Sequence, residues 1–196
     1  MKALPTRQEY YSKTDFFELL AKSEQKLEYL DGVIRMMAGG SNEHAQIVEN
    51  AFFQLRSNQG SCRVRSSELA VSVANLNRYF FPDVSAVCNE NENLEQHNGI
   101  ACLTNPALIV EVLSESTTDY DRSDKFHSYR QLPSFREYVL INSQKLSVET
   151  FYQETEDLWH IRSYFKRGQR VEFRTLGVSI LIDDLYDGVE LDAPIA

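Results

Sequence analysis

The stretch Ala107-Leu108-Ile109-Val110-Glu111-Val112-Leu113-Ser114-Glu115-Ser116 is an apolar run of strand length with one carboxylate in its middle. A short continuous apolar run bounded by polar residues reads as a strand buried on both faces, at the centre of a sheet. Side chains alternate along a strand, so Ile109, Glu111 and Leu113 share one face while Leu108, Val110 and Val112 share the other. Burying Glu111 is costly unless a cation or hydrogen-bond donors compensate it. That leaves two readings, an ion pair inside the fold or a working acid in a site.

Downstream, Ser114 to Thr118 are polar residues suited to capping a helix, and Asp119 to Leu132 is the helix they introduce, closed by Pro133. Glu137-Tyr138-Val139-Leu140-Ile141-Asn142 is the next strand. Strand, helix, strand is a crossover unit, which sets this strand parallel to the central one. Leu146–Gln153, Leu158–Phe165 and Val171–Phe173 then read as an antiparallel meander.

Upstream, Ser61–Val73 and Arg78–Val87 are strand candidates, and the polar, acidic chain between Cys88 and Cys102 reads as a loop. Asn42–Ser57 carries Ile47, Val48, Ala51, Phe52 and Leu55 at helical spacing, with His44 one turn before Val48. Asp31-Gly32 between Lys26–Leu30 and Val33–Met37 is a hairpin signal. Thr14 reads as the N-cap of a short helix with its acids in the first turn. The sum is one α/β domain built on a mixed sheet, spanning residues 1–196.

Composition bounds the function. Residues Met1–Arg7 lack the apolar core of a signal peptide, and no apolar run approaches the roughly 20 residues a membrane span needs. Cys62, Cys88 and Cys102 form no CxxC pair and read as reduced thiols of a cytoplasmic protein. The net charge of −9 lacks the basic footprint usual in a nucleic-acid binder, and Asp183–Asp192 is one acidic concentration.

Pro82-Asp83 opens an apolar strand, and Glu111 lies on the next strand. This pairing resembles the PD-(D/E)xK nuclease superfamily, in which two such acids on adjacent strands hold a divalent metal. Leu113 stands where that superfamily carries its lysine, and Lys125, spaced four residues from both Asp121 and Tyr129, is the candidate replacement. A narrower resemblance, to the Uma-type restriction endonuclease family, rests on five motifs. They are Pro82-Asp83, Glu111-x-Leu113-Ser114-x-Ser116-Thr117, Asp121-Arg122-x-x-Lys125-x-x-x-Tyr129, and the upstream pieces Tyr29-Leu30-Asp31-Gly32 and Ser41-Asn42-Glu43-His44. It covers about Asp15 to Leu185, with Glu115 departing from the family's usual proline.

The resemblance implies a restriction-endonuclease-like mixed β-sheet flanked by helices, and Mg²⁺-dependent hydrolysis of DNA phosphodiesters with Mn²⁺ as a substitute. It assigns Asp83 and Glu111 as metal ligands and Lys125 as the electrostatic partner, while His44, at a helix start beside the acids, reads either as a satisfied core histidine or as a contact to a metal-bound water or phosphate. Two hard carboxylates from rigid strands suit Mg²⁺, which keeps several waters. Glu43 and Glu68 compete to complete the site, and Tyr129 reads as packing or a hydrogen bond to a carboxylate. Arg122 and Arg130 read as solvated residues or phosphate contacts. Two other functions stay open: a non-catalytic nucleic-acid- or protein-binding module on the same fold, and a metal-dependent hydrolase of another phosphorylated substrate. Homodimerisation also stays open.

Overall fold

The computed structural model describes residues 10–37, 39–115 and 117–191, so Met1–Arg7, Ser116 and Asp192 of the sequence reading lie outside the described residues. The chain opens with helix α1 (Lys13–Leu20), which buries Phe16 and Phe17. Ser12, not Thr14, is its N-cap. The Ser12 hydroxyl accepts the Asp15 N–H, and the Asp15 carboxylate accepts the Ser12 N–H. This reciprocal pair satisfies two donors the helix leaves open, which a lone Thr14 inside the first turn could not do.

Strands β1 (Leu27–Leu30) and β2 (Val33–Met36) form the expected hairpin, with Leu30 opposite Val33. Asp31 and Gly32 both take positive φ, as a tight two-residue turn demands. Helix α2 (Asn42–Ser57) has the bounds its periodicity predicts, starts at Ser41 and buries Ile47, Ala51 and Leu55.

The next two segments differ from expectation in the same way. Ser61–Val73 is not one strand but β3 (Arg63–Ser66) and β4 (Ala70–Val73), and Arg78–Val87 is β5 (Arg78–Phe80) and β6 (Val84–Val87). In each pair the chain passes from one sheet to another. Pro82 has no N–H to give a ladder, so β5 and β6 part around it. The predicted loop from Cys88 to Cys102 contains a hairpin, β7 (Leu94–His97) and β8 (Ile100–Leu103), turned by Asn98-Gly99 at positive φ.

The central strand β9 (Leu108–Leu113) is buried at every position. It leads into a helix in three pieces: α3 (Thr118–Tyr120), a π-helical turn (Asp121–Lys125) and α4 (Phe126–Tyr129). This helix ends three residues before the predicted Leu132. Strand β10 (Glu137–Asn142) lies parallel to β9, with Val139 opposite Val110. Strands β11 (Val148–Thr155) and β12 (Leu158–Tyr164) continue antiparallel as expected. Strand β13 (Arg170–Phe173) leaves the meander to pair with β14 (Val178–Leu181) in a two-stranded sheet, ahead of α5 (Ile182–Leu185).

Two six-stranded mixed sheets result, ordered β2-β1-β5-β4-β8-β7 and β12-β11-β10-β9-β6-β3. The alternation along β9 feeds two cores. Leu108, Val110 and Val112 pack with Ile47, Ala51 and Leu55 of α2, while Ile109 and Leu113 pack with Tyr129, Phe135 and Tyr138. Burying each such side chain contributes about 1.5–3 kcal/mol.

The thiol expectation is also corrected. Cys62 and Cys88 form a disulfide beside the Arg63–Val87 pair that closes the β3–β6 ladder, and Cys102 alone stays a buried thiol. Odd cysteine count and absent CxxC spacing gave no sign of this, because strand pairing, not sequence spacing, brings the two together. Among the described residues no helix is long and apolar enough to cross a membrane.

Candidate active site

Asp83 sits where the chain leaves one sheet and enters the other, immediately before β6. The antiparallel register of β6 on β9 pairs Val84 with Val110, which sets Asp83 opposite Glu111. Asp83 Oδ2 accepts the Val112 N–H at 2.7 Å, so the backbone of one acid's strand fixes the other acid. Glu111 is 3% exposed, and its Oε1 accepts the Tyr129 hydroxyl at 3.1 Å and the Lys125 ammonium at 3.2 Å.

Lys125 is 4% exposed, which excludes a solvated helical lysine. Its ammonium lies 3.0 Å from Glu28 Oε1, 3.2 Å from Glu111 Oε1 and 3.2 Å from Asp121 Oδ1. The π-helical turn gives it this aim, and the Tyr138 hydroxyl of β10 anchors that turn by donating to the Asp121 carbonyl at 2.9 Å. Such π turns recur at functional sites. Glu28, reached from the β1–β2 hairpin, was missed in the sequence reading. Its signal is the one Glu111 gave: a lone carboxylate between the buried Leu27 and Tyr29.

His44 enters from the first turn of α2, where Ser41 Oγ accepts its N–H at 3.3 Å. Its Nε2 lies 3.6 Å from Asp83 Oδ2. Gly40 presses on this ring. A Cβ there would come within 2.4 Å of His44 Nδ1, so the glycine is what lets the loop lie against the imidazole.

The charges shape one another. Burial pushes the Glu111 carboxyl well above the usual carboxylate range. Lys125 opposes the rise, and the neighbouring Asp121, Asp83 and Glu28 add to it. Burial alone would lower the Lys125 ammonium, but Glu111, Glu28 and Asp121 outweigh it and hold the lysine charged. Burial likewise works against a protonated His44, and Asp83, the Val112 carbonyl and Asp121 together raise it.

These groups line one cavity of about 250 Å³, with Arg35, Met36, Met37, Gly39, Gly40, Ser114, Thr117 and Tyr120 completing its wall. Four carboxylates (Glu28, Asp83, Glu111 and Asp121) share it with one lysine. Glu28 Oε1 and Asp121 Oδ1 accept no hydrogen bond of good geometry, so their compensation is electrostatic alone. That acid excess and hard-oxygen donor set fit a divalent cation such as Mg²⁺ at Asp83 and Glu111. Among the described residues no three His, Cys, Asp or Glu side chains form a preformed cage, as is usual for Mg²⁺, which takes one or two carboxylates and retains water.

The other candidates lie elsewhere. Glu68 is exposed and pairs with Lys26 at 2.8 Å, and Glu43 lines a separate surface hollow with Asn42, Gly188, Val189 and Glu190. Arg122 pairs with Glu149, and Arg130 stands over the rings of Phe126 and Trp159.

Fold and site together define a restriction-endonuclease-like α/β protein. A crystal structure of "a putative nuclease belonging to DUF820" from Anabaena variabilis superposes with a TM-score of 0.69 at 18% identity, covering 90% of this chain and 98% of that one. The model of the Uma2 family, described as "Putative restriction endonuclease", matches residues 14–183. The chain belongs to the Uma2 family. Two uncharacterized proteins of Synechocystis are similar. One is 31% identical, covering 91% of this chain and 92% of its own length, and the other is 30% identical, covering 80% and 90%.

Proposed function

We propose that this chain is a Mg²⁺-dependent nuclease that hydrolyses DNA phosphodiester bonds, with Mn²⁺ able to substitute. The observation that carries the reading is Asp83, at the entry to β6 and bonded to the Val112 N–H, sharing one cavity with Glu111 of the neighbouring β9 and a buried, charged Lys125. Asp83 and Glu111 would hold the metal. When bound, a divalent ion supplies a water of lowered pKa and neutralises charge on the scissile phosphate.

The chain's own groups do the rest. The Val112 N–H orients Asp83, and Tyr129 and Lys125 orient Glu111. Lys125, fixed by Glu28 and Asp121, presents positive charge where negative charge develops on the phosphorane oxygens. His44 sits beside Asp83, which favours its protonated form, and when protonated it would offer an N–H to phosphate or water.

The test is cleavage of plasmid DNA by the purified chain with Mg²⁺, Mn²⁺ or EDTA. Metal-dependent cleavage is expected, and Asp83→Asn and Glu111→Gln should each abolish it while preserving the fold. Cleavage that persists in the double variant would overturn the assignment.

The net charge of −9 favours one second reading, hydrolysis of a smaller phosphorylated substrate by the same residues. Phosphate release from small phosphoesters without DNA cleavage would select it.

A further inference from the structure

Arg35 lies directly across the β1–β2 hairpin from Glu28. Opposite charges facing each other on a hairpin ordinarily pair. Here Glu28 turns to Lys125, and the Arg35 guanidinium instead stands 4.0 Å from the centre of the Tyr120 ring. The Tyr120 hydroxyl is committed to Glu28 Oε2 at 3.2 Å, so the platform under Arg35 is tied into the acid cavity. The Lys125 ammonium lies 5.6 Å from the centre of the same ring.

Arg35 is exposed at the cavity wall and forms no ion pair among the described residues. Much of the outer surface is different. Arg63 and Arg65 pair with Glu92, Arg122 with Glu149, Arg162 with Glu172, and Arg167 with Asp183. Those cations are already answered by carboxylates. Arg35 is a guanidinium stacked and hydrogen-bonded on Tyr120, answered by no carboxylate among the described residues, on the wall of the cavity that holds Asp83 and Glu111. Beside it Met36, 62% exposed, and Met37 offer a soft apolar surface.

We propose that Arg35, held on Tyr120, is a phosphate subsite that grips a DNA strand beside the bond at Asp83 and Glu111. This rests on the nuclease reading and adds the substrate class: a strand that continues past the scissile phosphate. A planar guanidinium grips phosphate oxygens through two parallel N–H bonds, and stacking on Tyr120 removes much of the side-chain freedom that binding would otherwise cost. The Met36–Met37 surface lies where a base or sugar of that strand would rest.

The experiment measures anisotropy of a fluorescein-labelled single-stranded DNA 12-mer titrated with the full chain in CaCl₂ at several salt concentrations. Arg35→Ala should weaken binding about tenfold and reduce the salt slope by about one. Arg35→Lys should restore the slope but only part of the affinity, since it keeps the charge and loses the fork and the stack. Tyr120→Leu should weaken binding with the slope unchanged. Thermal melts and Mg²⁺ titrations of Arg35→Ala should match wild type, which separates a lost contact from a damaged fold. Wild-type affinity and slope in Arg35→Ala, or no measurable affinity of the wild-type chain for the 12-mer, overturns the proposal. Weakened binding in Arg35→Ala from a chain that never cleaves DNA would remove the nuclease reading and leave the subsite standing.

Discussion

The N–H of Val112 donates to Asp83 Oδ2 at 2.7 Å, so the residue after Glu111 positions the acid opposite Glu111. The two carboxylates are thereby locked together through the backbone of β9, and neither can be displaced without disturbing the sheet. Burial and the acids around it hold the Glu111 carboxyl above the usual carboxylate range.

Metal binding should therefore release a proton. Glu111 is raised by burial first and by Asp121, Asp83 and Glu28 beyond that. A carboxyl whose folded pKa lies above its unfolded value stabilises fully below the unfolded value, and the stabilisation is lost as pH rises through the folded one. Metal-free protein should lose stability as pH climbs out of the ordinary carboxylate range, and Glu111→Gln should flatten that decline. Mg²⁺ affinity should rise over the same interval. At a hundredfold excess over Kd, Mg²⁺ should add about 2.7 kcal/mol of stability. Calorimetry in two buffers of different ionisation enthalpy reads the proton, and equal apparent enthalpies in both would refute it.

Lys125→Met should separate charge compensation from metal affinity. Removing one member of a buried ionic cluster costs about 3–5 kcal/mol, measurable by denaturant titration without metal. The acids left behind should bind Mg²⁺ more tightly than in wild type, while DNA cleavage falls by about a hundredfold or more. Weaker Mg²⁺ binding in this variant would show that the lysine builds the metal site rather than competing with it.

The cysteines should behave as two classes. Reduction of Cys62–Cys88, whose positions are 26 residues apart, should cost about 3.5 kcal/mol on the loop-entropy account. Burial pushes the Cys102 thiol up to about 12, so it stays protonated and unreactive at neutral pH. Thiol labelling of native protein should report no fast site without reductant and two with it, and rapid labelling of Cys102 would contradict the assignment.

Tyr186→Phe serves as a control at a residue that does not line the acid cavity. The Tyr186 hydroxyl donates to the Asn142 carbonyl at 2.7 Å, lies 3.0 Å from the Ser147 carbonyl and accepts the Ser147 N–H at 3.2 Å, closing the β10–β11 turn. Leaving buried backbone groups unpaired costs about 1–3 kcal/mol. The melt should drop accordingly while cleavage per folded molecule holds, and an equal loss of both would tie this turn to the site.

Much of this was legible in the sequence wherever one physical signal dominated. The apolar run around Glu111, the α2 periodicity and the Asp31-Gly32 turn each correspond to an element in the fold. Asp83, Glu111, Lys125 and His44, the residues singled out in the sequence, line one cavity. What stayed hidden depends on contacts between distant segments. The breaks after Ser66 and Phe80 occur because two sheets share those stretches, and no local pattern marks where a strand changes sheet. Glu28 was passed over because a hairpin acid reads as exposed until Lys125 arrives over it. The Asn98-Gly99 turn lies between polar flanks, so nothing in the local pattern separates its hairpin from a loop.

The π-helical turn at Asp121–Lys125 spends one residue more than an α-helical turn would to connect Tyr120 to Phe126. Deleting a single position there, such as Ser123, would let ordinary helical hydrogen bonding resume and swing the lysine by about 100° around the axis. Phe126 and Tyr129 could re-seat in their aromatic packing only by dragging Lys125 out of register with Glu28 and Glu111. The length of this segment is thus as constrained as its composition. Substitutions at the outward-facing Arg122 or Ser123 leave the turn's count intact, whereas a one-residue gap would separate a chain that keeps every site residue in its sequence from one that keeps them in one place.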